Sequence, residues 1–354
     1  MTDRKADHAR VRRILSHAFS SSALRAQHPI FRQHSMHLTQ KLRNVSTSSI
    51  TSETPTVTNI EFFYIAESID LITDLALGKA FNALASGVEH PWWTAISDVF
   101  RLGRFSLILA GSPVLQFISK AFLTLFPQSE QARCLAQRAY HVKLVEEMAR
   151  ERMLQADQKE RKDIVHYMLQ RMDEPGEKGI SEAEMLRNLA TLLGAGTETT
   201  VSLLCAATYF LLQHPGSLQQ LQDELANAFP DGAETIEQVD LLRLPYLNAV
   251  IEEALRLRPP VVEALPRICT QDVLIDGHVV PKGTIVGMNP YAAGRAQWNF
   301  KDAEDWRPER WLGGEEWNSD SRGASNAFGI GPRNCVGMRL VLDLSLLFPV
   351  LPCF

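Results

Sequence analysis

The strongest constraint this chain places on its own fold is a long helix that must run through the middle of it. Ser181-Glu182-Ala183-Glu184 has the form of a capping box, with Ser181 at the N-cap and Glu184 three residues on. Ile180 and Met185 are placed to form the accompanying hydrophobic staple. The next proline is Pro215. A helix over that interval has roughly 30 residues and is about 45 Å long, enough to cross a whole domain. Between Leu186 and Leu212 it is apolar on nearly every side, which predicts burial.

The rest of the chain also reads mostly as helix, without internal repeats. Ser22 to Val45 is predicted helical with a basic surface, and Ile60 to Leu84 is predicted as another helix. Between them, Asn44 to Asn59 is rich in Ser and Thr and reads as a loop. Trp92 to Phe126 is apolar but broken by Gly103, Gly111 and Pro113, so it reads as two helices and a loop that could line an apolar cavity. Gln131 to Met172 has the pattern of exposed amphipathic helices, and Asp173 to Gly179 reads as a turn. From Gln271 the signal changes to strands. Val273-Leu274-Ile275 and His278-Val279-Val280 flank Asp276-Gly277, a two-residue hairpin signal, and a further strand is expected from Thr284 to Met288. The predicted fold class is mainly α with a small β region.

Composition narrows the function. The chain has 354 residues and a formal net charge of −5, which argues against general nucleic-acid binding. Its five cysteines include no C-x-x-C pair and no zinc-type spacing, as expected in a reducing compartment. The first thirteen residues are charged and basic, unlike a signal peptide. No 18-residue uncharged apolar run is present, which predicts a chain without a membrane anchor of its own. His34 and His37 could share one helical face, but no third metal ligand is evident.

One stretch is built for metal chemistry. In Phe328-Gly329-Ile330-Gly331-Pro332-Arg333-Asn334-Cys335-Val336-Gly337, a lone cysteine sits between glycines. Glycines permit sharp turns and close approach to a flat ligand. A helix starting just after Cys335 would favour a thiolate through its N-terminal N–H groups. Arg333 could pair with a carboxylate of the same ligand, and Phe328 could shield the sulfur from water. A haem held by cysteine accounts for these features together.

Two further constellations stand out. The long helix carries Ala195-Gly196-Thr197-Glu198-Thr199-Thr200 at mid-length. Gly194 and Gly196 would allow a kink or bulge there, and a carboxylate beside a hydroxyl suits proton delivery. Tyr246 to Leu257 reads as a helix stopped by Pro259, with Leu247, Val250, Ile251, Ala254 and Leu255 as its core stripe. Glu253 and Arg256 lie off that stripe, three residues apart.

Taken in order, these segments resemble the cytochrome P-450 superfamily. The cysteine loop matches F-x-x-G-x-R-x-C-x-G, Ala195 to Thr200 matches A-G-x-[DE]-T-[TS], and Glu253 to Arg256 matches E-x-x-R. Pro308-Glu309-Arg310-Trp311 matches P-E-R-[FW], and Arg10 to Arg13 follow the pattern W-x-x-x-R with His8 in place of the tryptophan. The wording around the motifs, such as Leu15 to Ser20, is most like filamentous-fungal members that tailor secondary metabolites.

The resemblance implies haem b with Cys335 as the axial iron ligand. Arg12, Arg267 and Arg333 would contact propionates, with Phe328 and Gly337 completing the loop. Thr199 would organise dioxygen, and Glu198 would relay protons. Glu253, Arg256 and Arg310 would form a structural Arg–Glu–Arg network. The implied activity is a monooxygenase acting on a small hydrophobic substrate, with electrons from an NADPH-dependent reductase. A full-length relative would sit on the cytosolic face of the endoplasmic reticulum membrane.

The match covers nearly the whole chain as one domain. It begins at the family's third major helix and ends before the family's C-terminal β-hairpin, at Leu347 to Phe354. A truncated fold is therefore expected, without the N-terminal anchor, the first β segment or that hairpin. The rival readings are a non-catalytic remnant and a haem-binding sensor. The Glu198-Thr199 pair discriminates the monooxygenase from the sensor, because binding alone does not require it.

Overall fold

The computed structural model describes residues 5–50, 58–98, 113–155, 161–172, 179–230 and 241–342. The described chain is mainly helical with four short strands. It divides into two compact units, residues 1–201 with 339–341, and residues 202–338 with 342–354.

The first unit contains α1 (Lys5–Ala18), α2 (Ser21–Ile50), α3 (Ile60–Leu77), α4 (Ala83–Ser86), α5 (Pro113–Leu125), α6 (Glu130–Leu154), α7 (Ile164–Leu169) and the first part of α8 (Glu182–Gln213). Residues 91–98 are also helical. At the centre is α3, which packs on α2, α6 and α7 and buries Ile65, Ile69, Ile72, Leu75 and Ala76. In α1, Val11, Ile14, Leu15 and Ala18 recur at helical spacing and are all buried, so one face drives its docking.

Two helix boundaries differ from the sequence pattern. The helix expected over Ile60 to Leu84 stops at Leu77, because Gly78 takes a left-handed conformation with φ 72° and caps it through a bond to the Asp74 carbonyl. Its Cβ would stand 3.0 Å from Asp163 Oδ2, so glycine is needed there on both grounds. The chain restarts as α4, held by Asp70, whose carboxylate accepts from the Ala83 and Leu84 N–H groups at 2.8 and 3.0 Å. The loop expected from Asn44 is helical to Ile50, since no Gly or Pro stops propagation there. The remainder of that loop, the glycine-broken part of Trp92 to Phe126, the turn at Asp173 and the segment Leu347 to Phe354 lie outside the described residues.

The second unit holds the rest of α8, α9 (Pro215–Ala228), α10 (Pro245–Leu257), β1 (Arg267–Ile268), β2 (Val273–Ile275), β3 (His278–Val280), β4 (Ile285–Val286) and α11 (Pro290–Arg295). Short 3-10 turns follow, one of them at Pro308–Trp311. The hairpin forms as its turn residues dictate. Asp276 and Gly277 both have positive φ, and Val273, Leu274 and Ile275 pair with Val280, Val279 and His278. The strand expected over Thr284 to Met288 is shorter, with only Ile285–Val286 pairing, antiparallel to β1. The α10 stripe of Leu247, Val250, Ile251, Ala254 and Leu255 is buried as its spacing predicts.

Candidate active site

The capping box at the start of α8 forms as its residue types require. Ser181 Oγ accepts from the Glu184 N–H at 3.3 Å, and Glu184 Oε2 accepts from the Ser181 N–H at 3.0 Å. Arg10 of α1, a residue the sequence pattern did not single out, grips the same glutamate at 2.6 and 3.3 Å and also donates to the Gly179 carbonyl. The Arg10 hydrogen bond outweighs partial burial and holds the Glu184 carboxyl down at about 2. Ile180 and Met185 are both buried, as a staple requires.

The helix then runs unbroken to Gln213. It is the one described helix long and apolar enough to cross a membrane, and half of that apolar window is buried inside the protein. The two glycines do not interrupt the α-helix. Gly196 instead admits α3, because a Cβ there would lie 3.0 Å from Ile72 Cδ1. Burial is also less complete than the apolar composition suggests. Thr191 and Ala195 are exposed, and Glu198, Thr199, Ser202 and Cys205 are half-buried, leaving a stripe of mainly small and polar side chains open along the helix. Thr199 donates to the Ala195 carbonyl at 2.6 Å, so its hydroxyl is held within its own helix.

Arg12 also lies in the first unit, half-buried on α1. The other predicted site residues belong to the second. The Cys335 N–H donates to the Phe328 carbonyl at 2.8 Å and closes the loop. Gly329 and Gly331 have φ of 68° and 82°. A Cβ on Gly331 would meet nothing within 4 Å, so backbone conformation rather than crowding selects glycine there. Cys335 is exposed, whereas Cys134 and Cys269 are buried. Arg333 is exposed, and Phe328 and Gly337 are half-buried. The helix expected just after the cysteine starts at Met338, after a turn at residues 336–337. Arg267 is exposed on β1 and donates to the Pro266 carbonyl at 3.0 Å.

Glu253 is the hub of the second unit. Arg256 Nε and Nη2 reach its two oxygens at 2.7 Å each, and Arg310 Nε donates at 3.1 Å. All three side chains have no solvent exposure. Three donors or acceptors were not legible from the motifs. Trp311 Nε1 donates to Glu253 at 2.9 Å, the Arg307 N–H donates at 2.8 Å, and Asp320 takes the far side of Arg310 at 2.5 Å. Arg256 also donates to the carbonyls of Gly294, Ala303 and Asp305 at 2.6, 2.6 and 2.9 Å. Gly294 must be glycine, since a Cβ would lie 2.5 Å from the Arg256 carbonyl oxygen. The Phe300 ring lies under both guanidinium groups, 5.0 and 5.7 Å from its centroid. Pairing and desolvation are therefore matched within the network, and the segment leading to the cysteine loop is anchored on it.

A mainly helical fold with this network, an exposed cysteine after two positive-φ glycines, and an open acid–threonine stripe on its longest helix has the arrangement of a haem-binding monooxygenase fold. The comparisons with known proteins agree. The family described as Cytochrome P450 matches residues 1–342. The protein is 34% identical to cytochrome P450 monooxygenase aba2 of Botryotinia fuckeliana strain B05.10, over 94% of this chain and 61% of that one. It is 34% identical to cytochrome P450 monooxygenase aclL of Aspergillus oryzae, over 95% of this chain and 66% of that one. It is 33% identical to averantin hydroxylase of Dothistroma septosporum, over 94% of this chain and 60% of that one. The crystal structure of the cytochrome P450DA heme domain shares the fold, with a TM-score of 0.76, 23% identity, and coverage of 96% of this chain and 69% of that one. The chain belongs to the cytochrome P450 family, and it spans 61% and 66% of the length of the first two of these relatives.

The residues present fit a haem. A thiol is offered at the surface of a braced loop, an exposed arginine stands two residues before it, and a helix carries an open stripe of small residues.

Proposed function

We infer that the protein works as a haem-thiolate monooxygenase, inserting one oxygen atom into a small hydrophobic substrate of fungal secondary metabolism. The observation that carries this is the exposed Cys335 on a loop closed by the Phe328 carbonyl and free of crowding at Gly331. Haem held there would supply dioxygen activation, aided by electron density from the thiolate.

The protein's own residues would do the rest. Cys335 would ligate the iron, and the guanidinium groups of Arg12, Arg267 and Arg333 would neutralise the propionates. Phe328 would keep water from the sulfur, and Gly337 would let the chain pass close by. Thr199, whose hydroxyl is held at the Ala195 carbonyl, would supply the hydrogen-bond donor that organises dioxygen, and Glu198 would relay protons to it. Electrons would come from an NADPH-dependent reductase at the endoplasmic reticulum membrane. The relatives' names support the reading, being fungal monooxygenases and a hydroxylase.

The test is to supply haem, reductase, NADPH and an apolar substrate library, and to compare Thr199→Ala with the parent. NADPH use should continue while product per NADPH falls by about tenfold, as proton-delivery losses of 10²–10⁴ in rate divert flux. Equal coupling in both proteins would remove Thr199 from the mechanism, and haem binding without any NADPH use would favour a sensor.

A further inference from the structure

His141 of α6 is buried, 4% exposed, and both of its ring nitrogens are engaged. Trp92 Nε1 donates to Nδ1 at 2.8 Å. An indole N–H can only donate, so Nδ1 is the acceptor and the proton sits on Nε2. Nε2 lies 2.8 Å from the carbonyl of Ala190 in α8 and donates to it. The Trp92 and His141 rings are nearly coplanar, 17° apart with centroids at 5.6 Å, and meet edge to edge through the bond from Trp92 Nε1.

The carbonyl it holds heads a particular row. In an α-helix, peptide units three residues apart form one hydrogen-bonded chain, here through the carbonyls of Ala190, Leu193 and Gly196. Each takes a second donor from a side chain. Thr197 donates to Leu193 at 2.9 Å, and Thr200 donates to Gly196 at 2.7 Å. A carbonyl shared between two donors lengthens its helical bond and bends the helix locally. Two of these donors belong to α8 itself, while His141 belongs to another helix. It is the donor that fixes this loosened row to a neighbouring element. Glu198 and Thr199 lie between Thr197 and Thr200 on the same two turns, and Gly194 lies beside the imidazole, where a Cβ would make ordinary contact at 3.9 Å.

We propose that His141 is a positioning residue for the Glu198-Thr199 turn, acting as a neutral imidazole that ties the Ala190 carbonyl to α6. This rests on the role given above to Glu198 and Thr199. Burial depresses the His141 pKa, opposed by the Ala190 carbonyl. His90, linked to Trp92 by its ring nitrogen and through Phe81, is a neighbouring titratable group, and burial lowers it as well. Protonating His141 removes the acceptor for Trp92. The Nε2–H bond to Ala190 survives protonation, so the full Trp92–His141–Ala190 chain is intact above the ordinary histidine value of 6.5 and opens at its Trp92 end only as pH falls through the lowered value of the buried ring.

The test is amide hydrogen exchange by mass spectrometry on the full chain, reading peptides over residues 190–200 against α9 as an internal reference. His141→Leu should raise exchange over that stretch by about threefold to tenfold, the worth of one buried hydrogen bond. His141→Gln, which can donate to Ala190 and accept from Trp92, should restore the parent rate. In the parent, exchange corrected for intrinsic pH dependence should rise in this stretch only below pH 6.5, where the protonated ring loses the Trp92 bond that orients it, and in the Gln variant it should not. The Gln and parent comparison stands even where the Leu variant fails to fold. Identical pH dependence in Gln variant and parent overturns the proposal. Exchange needs no catalysis, so loss of monooxygenase activity alone leaves this readout intact and points to the functional reading instead.

Discussion

Two buried carboxylates, one in each unit, meet their cations in opposite ways. In the second unit Glu253 meets two guanidinium groups, an indole N–H and a backbone N–H, all aligned. In the first, Glu67 is equally buried but faces His34, whose Nδ1 lies 3.2 Å from Oε1. Neither Glu67 oxygen has an aligned donor among the described residues. The far nitrogen of His34 reaches Asp74 at 3.1 Å, and Arg161 reaches Asp74 at 2.8 Å. Guanidinium groups stay charged at all working pH values, whereas imidazole does not. One cluster is a fixed brace and the other a titratable clasp between α2 and α3.

The protonation states follow. Burial pushes the Glu67 carboxyl up to about 7, only partly opposed by His34. Burial alone would lower His34, but its contacts with Asp74 and Glu67 outweigh that and carry it to about 9. Burial also works against ionised Asp74, and the bonds from His34 and Arg161 overcome it and hold its carboxyl below the usual value. His34 is raised, so its stabilisation is full below 6.5 and lost as pH rises through about 9.

The largest effect should come from cutting the brace. Glu253→Ala strands two buried guanidinium groups and should cost about 3–5 kcal/mol, seen in urea unfolding or as loss of soluble protein. A cost under about 1 kcal/mol would mean the network is not a structural brace. His34→Gln should cost less, about 1–3 kcal/mol near neutral pH, because Glu67 can protonate when its partner goes. That variant should also flatten the parent's stability loss between neutrality and about pH 9, and an unchanged slope would show that the clasp does not titrate as described. Smallest is Arg161→Gln, expected at about 0.5–1 kcal/mol because its guanidinium is partly exposed. Combined with His34→Gln it should be non-additive, since both cations serve Asp74.

The same contrast shows what the sequence could reveal. The brace was legible because Glu253, Arg256 and Arg310 fall in short recurring patterns, and α8 was legible because its cap and its terminating proline are local. Asp320 was missed because nothing in its spacing marks it, and the bond from Trp311 was missed because its pattern says nothing of where the indole N–H points. The clasp was missed because His34, Glu67 and Asp74 come from two helices, and their meeting depends on how α2 packs on α3. The pairing of His34 with His37 on one face led elsewhere, while the partners of His34 came from outside its helix. Helix ends failed where tertiary contacts decided them, as at Gly78 beside Asp163. The openness of Thr191, Ala195 and Thr199 was hidden for a similar reason, since small residues read as packing residues until a neighbour is found absent from one face.

The central claim is that Cys335 supplies the thiolate of a haem protein. The direct measurement is the reduced carbon monoxide difference spectrum of the full chain expressed with haem supply, beside Cys335→Ser. The parent should give the red-shifted Soret band of a thiolate complex, and the serine variant should lose it. A band that survives in Cys335→Ser, or is missing from a folded, haem-loaded parent, contradicts that claim.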